Sequence, residues 1–393
     1  MKRAIVEGWR ETRESNGWVP YGFDFLKGER TDEPNAPGYI LRQAATFWAW
    51  VRYYRHSGDL RDLEPTREAL TLLDRHSLPI GKSRFQAGLE ATRILSVPAG
   101  RLTLTTALKK LGLLYDPSGA GKVVSADGQY ATVWLGATAL ALLTELAYRQ
   151  ASGDDSFAGI RAAWRDGLLA LRIPGGGFRE SPVSIDDSDY FNGEAWLALA
   201  VYANLFREDE IVSRALVDLD QYVMGHYERN WSTTFYQWGA MAAAQRWRTT
   251  GDARYVEYLQ QQTDVFLQRF SGRIGENLNA CAPMEGLAIT QGVLMELGRE
   301  QSDLAQRVAA MLDRETMKLP RFQIRPGQKQ LPLGGDAMLY APRLADFAGA
   351  LLFDAQRPVV RVDGAQHCLS ALMIVDENER RAWPRRPRTP AKQ

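Results

Sequence analysis

The 393-residue sequence predicts an all-α fold, an (α/α)6 toroid of helical hairpins with a small β-containing insertion. Three observations predict it. One turn sequence occurs three times, about six segments have the small residues of closely packed helices, and at least five segments between them are amphipathic. An inner and an outer ring of helices would account for all three observations.

The recurring turn has the sequence Ser/Thr-Gly-Asp and begins at Ser57, Ser152 and Thr250. Each copy follows a segment rich in small and aromatic residues. Glycine readily takes the left-handed conformation just past the end of a helix, and aspartate accepts hydrogen bonds from free N–H groups at the start of the next one. The three copies therefore predict repeated antiparallel helix pairs.

The inner helices are predicted where alanine and glycine are frequent, because small side chains let helices approach closely. These segments are residues 39–56, 131–150, 192–206, 233–248, 284–297 and 366–375. The outer helices are predicted where apolar residues line one face only. These segments are residues 62–74, 157–171, 208–224, 253–270 and 302–317.

The toroid is predicted to span residues 38–376, after an N-terminal arm of residues 1–37 and before a basic, proline-rich tail of residues 377–393. Residues 85–130 break the helical pattern, and short strands are expected there at residues 93–98 and 101–105. Residues 318–336 are rich in proline and glycine and predict a long loop.

The composition limits the partners of the protein. With 48 Lys and Arg against 47 Asp and Glu, the net charge is +1, so no nucleic-acid partner is expected. No segment has the apolar character of a signal peptide or a membrane span, and a cytoplasmic location is expected. Two cysteines, Cys281 and Cys368, exclude a disulfide framework. The sequence predicts neither a cofactor nor a metal, and it leaves the oligomeric state open.

Four segments resemble the α/α-toroid superfamily: Gly38-Tyr-Ile-Leu-Arg-Gln-Ala-Ala-Thr, Leu135-Gly-Ala-Thr-Ala-Leu-Ala-Leu-Leu, Tyr190-Phe-Asn-Gly-Glu-Ala-Trp-Leu-Ala-Leu and Gln366-His-Cys-Leu-Ser-Ala-Leu. This superfamily contains six-hairpin glycosidases, sugar epimerases, polysaccharide lyases and the toroidal half of glucuronyl C5-epimerases. The resemblance covers roughly residues 38–375 and concerns architecture and helix composition. The catalytic tyrosines of glucuronyl epimerases are not recognisable, so no catalytic residue is carried over. The resemblance implies a sugar chain bound at one mouth of the toroid.

The strongest candidate site is the loop of residues 175–194, which is expected to lead into an inner helix. Its carboxylates are Glu180, Asp186, Asp187, Asp189 and Glu194. Glycosidic cleavage needs paired carboxylates, one as acid and one as base or nucleophile. Tyr190 and Phe191 can stack on a sugar ring, and Arg179 and Asn192 are candidate substrate ligands. In the alternative interpretation, Asp189 or Asn192 caps the helix and the other acids are solvated.

Glu194 and Glu285 occupy matching places at the starts of two inner helices. Together they predict an acid–base pair across the mouth of the toroid. A glutamate in a first helical turn is also a common partner of the helix dipole, so a structural role stays open.

Aromatic residues mark the start of another inner helix. Tyr236 and Trp238 predict a stacking platform for a sugar, although aromatic residues at such places are as often part of the core.

The remaining candidates are His367, Arg42 and Gln43. His367 is a candidate general base, which Asp363 could orient, or else a structural histidine. Arg42 and Gln43 enter the first inner helix and are expected to bind a carboxylated sugar, since arginine binds carboxylate through two parallel hydrogen bonds. A plain buried ion pair of Arg42 is the alternative.

The residues and the resemblance together predict a carbohydrate-active enzyme. It would act on an oligo- or polysaccharide by hydrolysis, elimination or epimerisation, with uronic-acid sugars among the expected substrates. One alternative is a non-catalytic module that binds a glycan or a peptide. A second is a peptide-modifying enzyme similar to lanthionine cyclases, whose zinc is held by two cysteines and a histidine, here Cys281, His367 and Cys368.

Overall fold

The computed structural model describes residues 1–31, 35–80, 121–184, 186–270, 274–275, 277–332, 337–354 and 357–382. The strands expected at residues 93–98 and 101–105 lie outside these ranges. The chain divides into two compact units. Unit 1 consists of Met1–Asp32, Arg52–Gly58 and Glu228–Gln393, and unit 2 of Glu33–Val51 and Asp59–Tyr227.

The described part of the chain is mainly helical. Its helices are α1 (Lys2–Thr12), α2 (Pro37–Ser57), α3 (Glu64–Arg75), α4 (Leu135–Ser152), α5 (Ala158–Ala170), α6 (Asp189–Leu205), α7 (Glu210–Arg229), α8 (Thr233–Thr250), α9 (Ala253–Arg269), α10 (Cys281–Glu296), α11 (Asp303–Lys318) and α12 (Val362–Ala382). Its strands are β1 (Gly22–Asp24), β2 (Glu29–Arg30), β3 (Ser77–Ile80), β4 (Gly121–Val124), β5 (Gln330–Pro332), β6 (Met338–Tyr340), β7 (Leu352–Asp354) and β8 (Arg357–Arg361). None of the described helices has the length and apolar character needed to cross a membrane.

The three Ser/Thr-Gly-Asp turns have the predicted conformation. Their glycines, Gly58, Gly153 and Gly251, have φ values of 64°, 73° and 72° and follow the last residues of α2, α4 and α8. Asp252 caps α9 by accepting from the backbone N–H of Arg254. Asp59 caps a 3-10 turn in the same way, whereas Asp154 accepts from Ser156 in the turn that precedes α5. The turn therefore ends one helix and starts the next helical segment, as predicted.

The difference between the two predicted kinds of helix is confirmed by burial. In α4, which is rich in small residues, 13 of 18 residues are buried, whereas 5 of 12 are buried in the amphipathic α3. A helix that is apolar all round is buried all round, and an amphipathic helix buries one stripe. Within unit 2, α4 packs against α3, α5 and α6, and within unit 1, α10 packs against α8, α9, α11 and α12.

Short strands accompany the helices. Unit 1 has an antiparallel sheet in the order β2-β1-β8-β7 and a β5–β6 hairpin. The expected long loop at residues 318–336 is therefore wrong in part, because a 3-10 turn (Leu319–Arg321) and β5 lie within it. In unit 2, β3 and β4 pair on either side of residues 81–120. Helix α12 extends to Ala382, beyond the predicted start of the tail at residue 377, and residues 383–393 lie outside the described ranges.

Candidate active site

In unit 1, Glu285 and His367 form a direct pair. Oε2 of Glu285, on α10, lies 2.7 Å from Nδ1 of His367, on α12. Glu285 is fully buried, and its Oε1 has no hydrogen-bond partner among the described residues. The side chain of His367 keeps 15% of its surface exposed. The carboxylate therefore fixes the ring from within the core, while a small part of the histidine side chain stays exposed.

The surroundings of His367 favour its protonated form. Burial by itself lowers the pKa of this histidine, but the charge and hydrogen bond of Glu285 outweigh burial, and the pKa is raised above its ordinary value. Asp363 adds to the increase and Arg361 opposes it. Asp363 makes its own ion pair with Arg361 at 2.5 Å. Glu285 is the group in contact with Nδ1 of His367, and an orienting role for Asp363 stays a prediction.

One covalent bond lies beside this pair. Cys281 and Cys368 form a disulfide that joins α10 to α12 across 87 residues of sequence. Two cysteines exclude a framework of several disulfides, but this single bond was not predicted from the sequence. Disulfide sulfurs are not thiolate ligands, so the zinc set of Cys281, His367 and Cys368 does not form here.

The predicted aromatic platform in unit 1 is not at the surface. Tyr236 is 1% exposed, and its ring stacks on that of Phe266 at 4.6 Å. Burial raises the pKa of Tyr236. Trp238 is 2% exposed and meets the ring of His367 edge-on at 6.0 Å. Both aromatic residues belong to the core, so neither can stack on a sugar, and Trp238 instead forms part of the wall around His367.

In unit 2, Glu194 is a buried acid in the second turn of α6, since the helix begins at Asp189. It is 1% exposed, and its Oε2 has no hydrogen-bond partner among the described residues. Burial raises the pKa of Glu194 to about 8, and Arg42 opposes the increase. A partner of the helix dipole would sit in the first turn and keep its charge. Glu194 instead holds its proton at neutral pH.

Space for the Glu194 carboxyl exists because residue 136 is glycine. A Cβ atom at Gly136, in the first turn of α4, would lie 1.9 Å from Oε2 of Glu194. The sequence shows Gly136 only as one small residue among many, so its relation to Glu194 was not predicted.

The acidic loop of unit 2 is held together by Asn192. This side chain is fully buried. Its Oδ1 accepts from the backbone N–H of Phe178, and its Nδ2 donates to Asp187 and to the Tyr227 hydroxyl. Tyr227 in turn donates to Asp189 at 3.0 Å. Asn192 is therefore not available as the predicted substrate ligand, because its polar atoms are used within the protein. The acids Asp187 and Asp189 are exposed.

Two tyrosines of α7 complete this loop and were missed by the sequence reasoning. Tyr222 donates to Asp187 at 3.0 Å, and burial together with that carboxylate raises the pKa of Tyr222 to about 12. Burial and Asp189 likewise raise the pKa of Tyr227, although its contact with Asn192 opposes them. No local sequence signal pointed to them, since both lie in an amphipathic helix.

The remaining candidates of unit 2 differ in exposure. Tyr190 is 41% exposed, as a surface for stacking requires. Gln43 and Arg179 are buried, at 0% and 5% exposure. Arg42 donates to the carbonyl of Gly38 at 2.9 Å. Of these residues, Tyr190 fits its predicted role most directly, while the roles of Arg42, Gln43 and Arg179 stay predictions.

Solved structures similar to this chain share its fold. They include the GH76A alpha-1,6-mannanase of Salegentibacter sp. HEL1_6, at 11% identity and a TM-score of 0.59 over 96% of this chain and 98% of that one. The fold is an α/α toroid. An unsaturated glucuronyl hydrolase specific for heparin matches at 12% identity and a TM-score of 0.54 over 96% of both chains. The cellobiose 2-epimerase of Spirochaeta thermophila DSM 6192 matches at 13% identity and a TM-score of 0.53, over 95% of this chain and 94% of that one.

No protein-family model and no curated protein sequence matches the chain. The predicted six-hairpin, glycosidase-like toroid is confirmed by these structures as a fold. Glu194 lies in unit 2 and Glu285 in unit 1, and their action as one acid–base pair stays a prediction.

Proposed function

We propose that this toroid is a carbohydrate-active enzyme that acts on an oligo- or polysaccharide by acid–base chemistry. The observation that carries the proposal is the pair of Glu285 and His367, with a buried carboxylate 2.7 Å from the ring nitrogen of a partly exposed histidine. A base held in one orientation by a second group is the arrangement that proton transfer needs.

In this proposal each nitrogen of His367 has its own role. When Nδ1 carries a proton and donates a hydrogen bond to Glu285, Nε2 keeps its lone pair. Nε2 then accepts a proton from the substrate in elimination or epimerisation, and from the attacking water in hydrolysis. The positive charge that then forms on the ring is stabilised by the buried carboxylate. Nε2 later returns the proton to the substrate or to water, so the same residue acts as base and then as acid.

Glu194 is proposed as a second proton donor. With a pKa of about 8 it is mainly protonated at neutral pH. A carboxylic acid kept neutral by burial is suited to protonate a leaving oxygen or to hydrogen-bond a developing negative charge. This role is tested independently of the Glu285–His367 pair.

The structural neighbours support the choice of sugars as substrates. They are a mannanase, a glucuronyl hydrolase and an epimerase of cellobiose, and an inactive variant of the mannanase was solved with alpha-1,6-mannotetrose. These proteins carry out different reactions on one fold. Their names support hydrolysis and epimerisation, and elimination stays within the proposal as the third reaction predicted from the sequence, as do neutral and uronic-acid sugars.

A panel of neutral and uronic-acid oligosaccharides tests the proposal and separates the reactions. Hydrolysis adds the mass of water across two fragments, elimination gives an unsaturated fragment that absorbs in the ultraviolet, and epimerisation in heavy water introduces deuterium at carbon. We expect one of these products. If no member of the panel is converted, the proposed function is wrong for these sugar classes.

A non-catalytic glycan-binding module is the second candidate, and exposed aromatic residues favour it. Trp134 and Tyr190 of unit 2 are 37% and 41% exposed, and the ring of Trp134 lies 5.7 Å from that of Phe191. Exposed rings of this kind stack on sugars. A panel sugar that binds, as measured by calorimetry, but is not converted would favour this candidate. The lanthionine-cyclase alternative loses its basis because Cys281 and Cys368 are bonded to each other.

The disulfide also indicates the kind of cellular compartment in which the protein is found. Disulfides persist in oxidising compartments and are rare in the cytosol. The Cys281–Cys368 bond therefore favours an oxidising compartment over the cytoplasm that the sequence predicts.

A further inference from the structure

The disulfide and the Glu285–His367 pair share the same two helices. Cys281 lies four residues before Glu285 on α10, a spacing that places both side chains on one face of the helix. Cys368 directly follows His367 on α12. The Cα atoms of the two cysteines are 4.6 Å apart. The bond therefore fixes the separation of α10 and α12 within about one helical turn of both members of the pair.

Asn279 also connects α10 to α12 beside the disulfide. Its Oδ1 accepts from the backbone N–H of Cys281 at 3.0 Å and lies 3.1 Å from Sγ of Cys368. Its amide nitrogen donates to the carbonyl of Leu352 at 3.4 Å. The start of α10 is thus held against α12 by a covalent bond and by Asn279, which contacts both cysteines.

We propose that the Cys281–Cys368 disulfide positions His367 against Glu285. Both cysteines are fully buried, so we infer that the disulfide is structural and is not a redox switch exposed at the surface. The 2.7 Å contact joins two elements distant in sequence, and it depends on their separation. A shift of the helices by about 1 Å would break it, and misplacements of that size cost about 100-fold in rate at catalytic sites.

The expected effect of the disulfide on catalysis rests on the proposed function, whereas its expected effect on the pKa of His367 does not. The charged groups that act on this ring are Glu285, Asp363 and Arg361, and the ring of Trp238 meets it edge-on. Arg52, on the part of α2 that belongs to unit 1, acts on Glu285 and donates to Ser370. Of these groups, Glu285 makes the largest contribution that raises the pKa of His367.

The test compares the full-length protein with its Cys281→Ala/Cys368→Ala variant. Histidine ring signals followed by NMR over pH give the pKa of His367. We expect it to fall by about one unit or more in the variant, because an opposite charge at this distance is worth that much. On a converted sugar, kcat should fall about 100-fold with little change in KM.

Two further variants keep the test decisive. Leu259→Ala changes a buried residue of α9, outside the two helices that carry the pair. It should lower stability and leave the pKa of His367 unchanged. The Cys281→Val/Cys368→Ala variant fills part of the volume that is lost when both cysteines become alanine. It replaces the double-alanine variant in the test if that variant does not fold. An unchanged pKa of His367 in a folded variant without the disulfide overturns the proposal. If the pKa of His367 falls in the variant without the disulfide but the wild type converts no sugar, the positioning role is upheld and the enzymatic function is rejected.

Discussion

Glu285 and His367 are 82 residues apart in sequence, and a 2.7 Å contact joins Oε2 of the first to Nδ1 of the second. The glutamate is fully buried, whereas the histidine is partly exposed. A buried carboxylate without a charge partner is costly, so the pair stabilises both the core of unit 1 and one orientation of the imidazole ring. In the proposed function this histidine is the proton carrier, held in one orientation by Glu285.

Replacing Glu285 by Gln should lower the pKa of His367. The amide keeps the shape of the side chain but removes the negative charge, and burial of the ring then dominates. NMR titration of the histidine ring signals measures the change. Glu296→Gln is the matched control, since Glu296 ends the same helix and pairs with Arg248 at 2.8 Å. Equal His367 pKa values in the two variants would show that Glu285 does not control this histidine.

The same pair gives the folded protein a pH dependence of known sign. The pKa of His367 is higher in the folded state than the ordinary 6.5. Its contribution to stability is therefore complete below pH 6.5 and is lost as pH rises through the folded pKa. Urea unfolding of the wild type and of Glu285→Gln across this range should give free energies of unfolding that converge with rising pH. A constant difference would contradict the assignment.

Glu194→Gln should stabilise the protein increasingly as pH rises. In the unfolded chain this carboxyl ionises near 4.5, whereas in the folded protein it stays protonated up to about 8. Ionisation of the unfolded state thus lowers wild-type stability between these values, by at most on the order of 5 kcal/mol. Glutamine removes that loss.

Thermal unfolding at pH 5 to pH 9 checks this prediction, with the exposed Glu208→Gln as control. The gap in Tm between Glu194→Gln and the wild type should widen with pH, while the control follows the wild type. A gap that does not change with pH would mean that Glu194 is already ionised in the folded protein.

Gly136→Ala should disturb the Glu194 carboxyl. The new Cβ would lie 1.9 Å from Oε2, so the acid or the helix must move. We expect a loss of about 2 kcal/mol in the free energy of unfolding and loss of any activity that needs Glu194. Gly159→Ala is the matched control, because a Cβ there meets no atom within 4 Å and the helical position gains about 0.5–1 kcal/mol. Two variants of equal stability would refute this account of Gly136.

Replacement by alanine should affect sugar affinity at Tyr190 and stability at Tyr236. Tyr190→Ala removes an exposed ring, so we expect about a tenfold weaker sugar affinity and a stability change within ±0.5 kcal/mol. Tyr236→Ala removes a stacked core ring and should cost about 3–5 kcal/mol of stability. Calorimetric titration and urea unfolding measure the two effects. Unchanged affinity in Tyr190→Ala would exclude this residue as a stacking surface.

The fold was largely predictable because its signals are local. Helix α8 was expected at residues 233–248 and spans Thr233–Thr250, since the following glycine and aspartate mark where it ends. The strands were harder to predict. β1 pairs with β8, more than 300 residues further along the chain, and no local pattern of a three-residue strand shows such a partner.

The site was predictable in residue type but not in arrangement. Glu194 and Glu285 were selected because they occupy matching places near the starts of two inner helices, and His367 because it is a candidate general base. The structure gives each of them a perturbed or paired environment. Tyr236 and Tyr190 look alike in sequence, since both lie at the start of an apolar helix. Which of the two is buried depends on packing partners distant in sequence, such as Phe266 for Tyr236.

The most direct test of the central claim is the rate at which His367→Gln converts the oligosaccharide that the wild type converts. His76→Gln serves as control, since His76 belongs to unit 2 and its Nδ1 lies 3.2 Å from the carbonyl oxygen of Ser125. We predict a loss of at least about 100-fold for His367→Gln and wild-type rates for His76→Gln. A folded His367→Gln protein that turns over sugar at the wild-type rate would contradict the account.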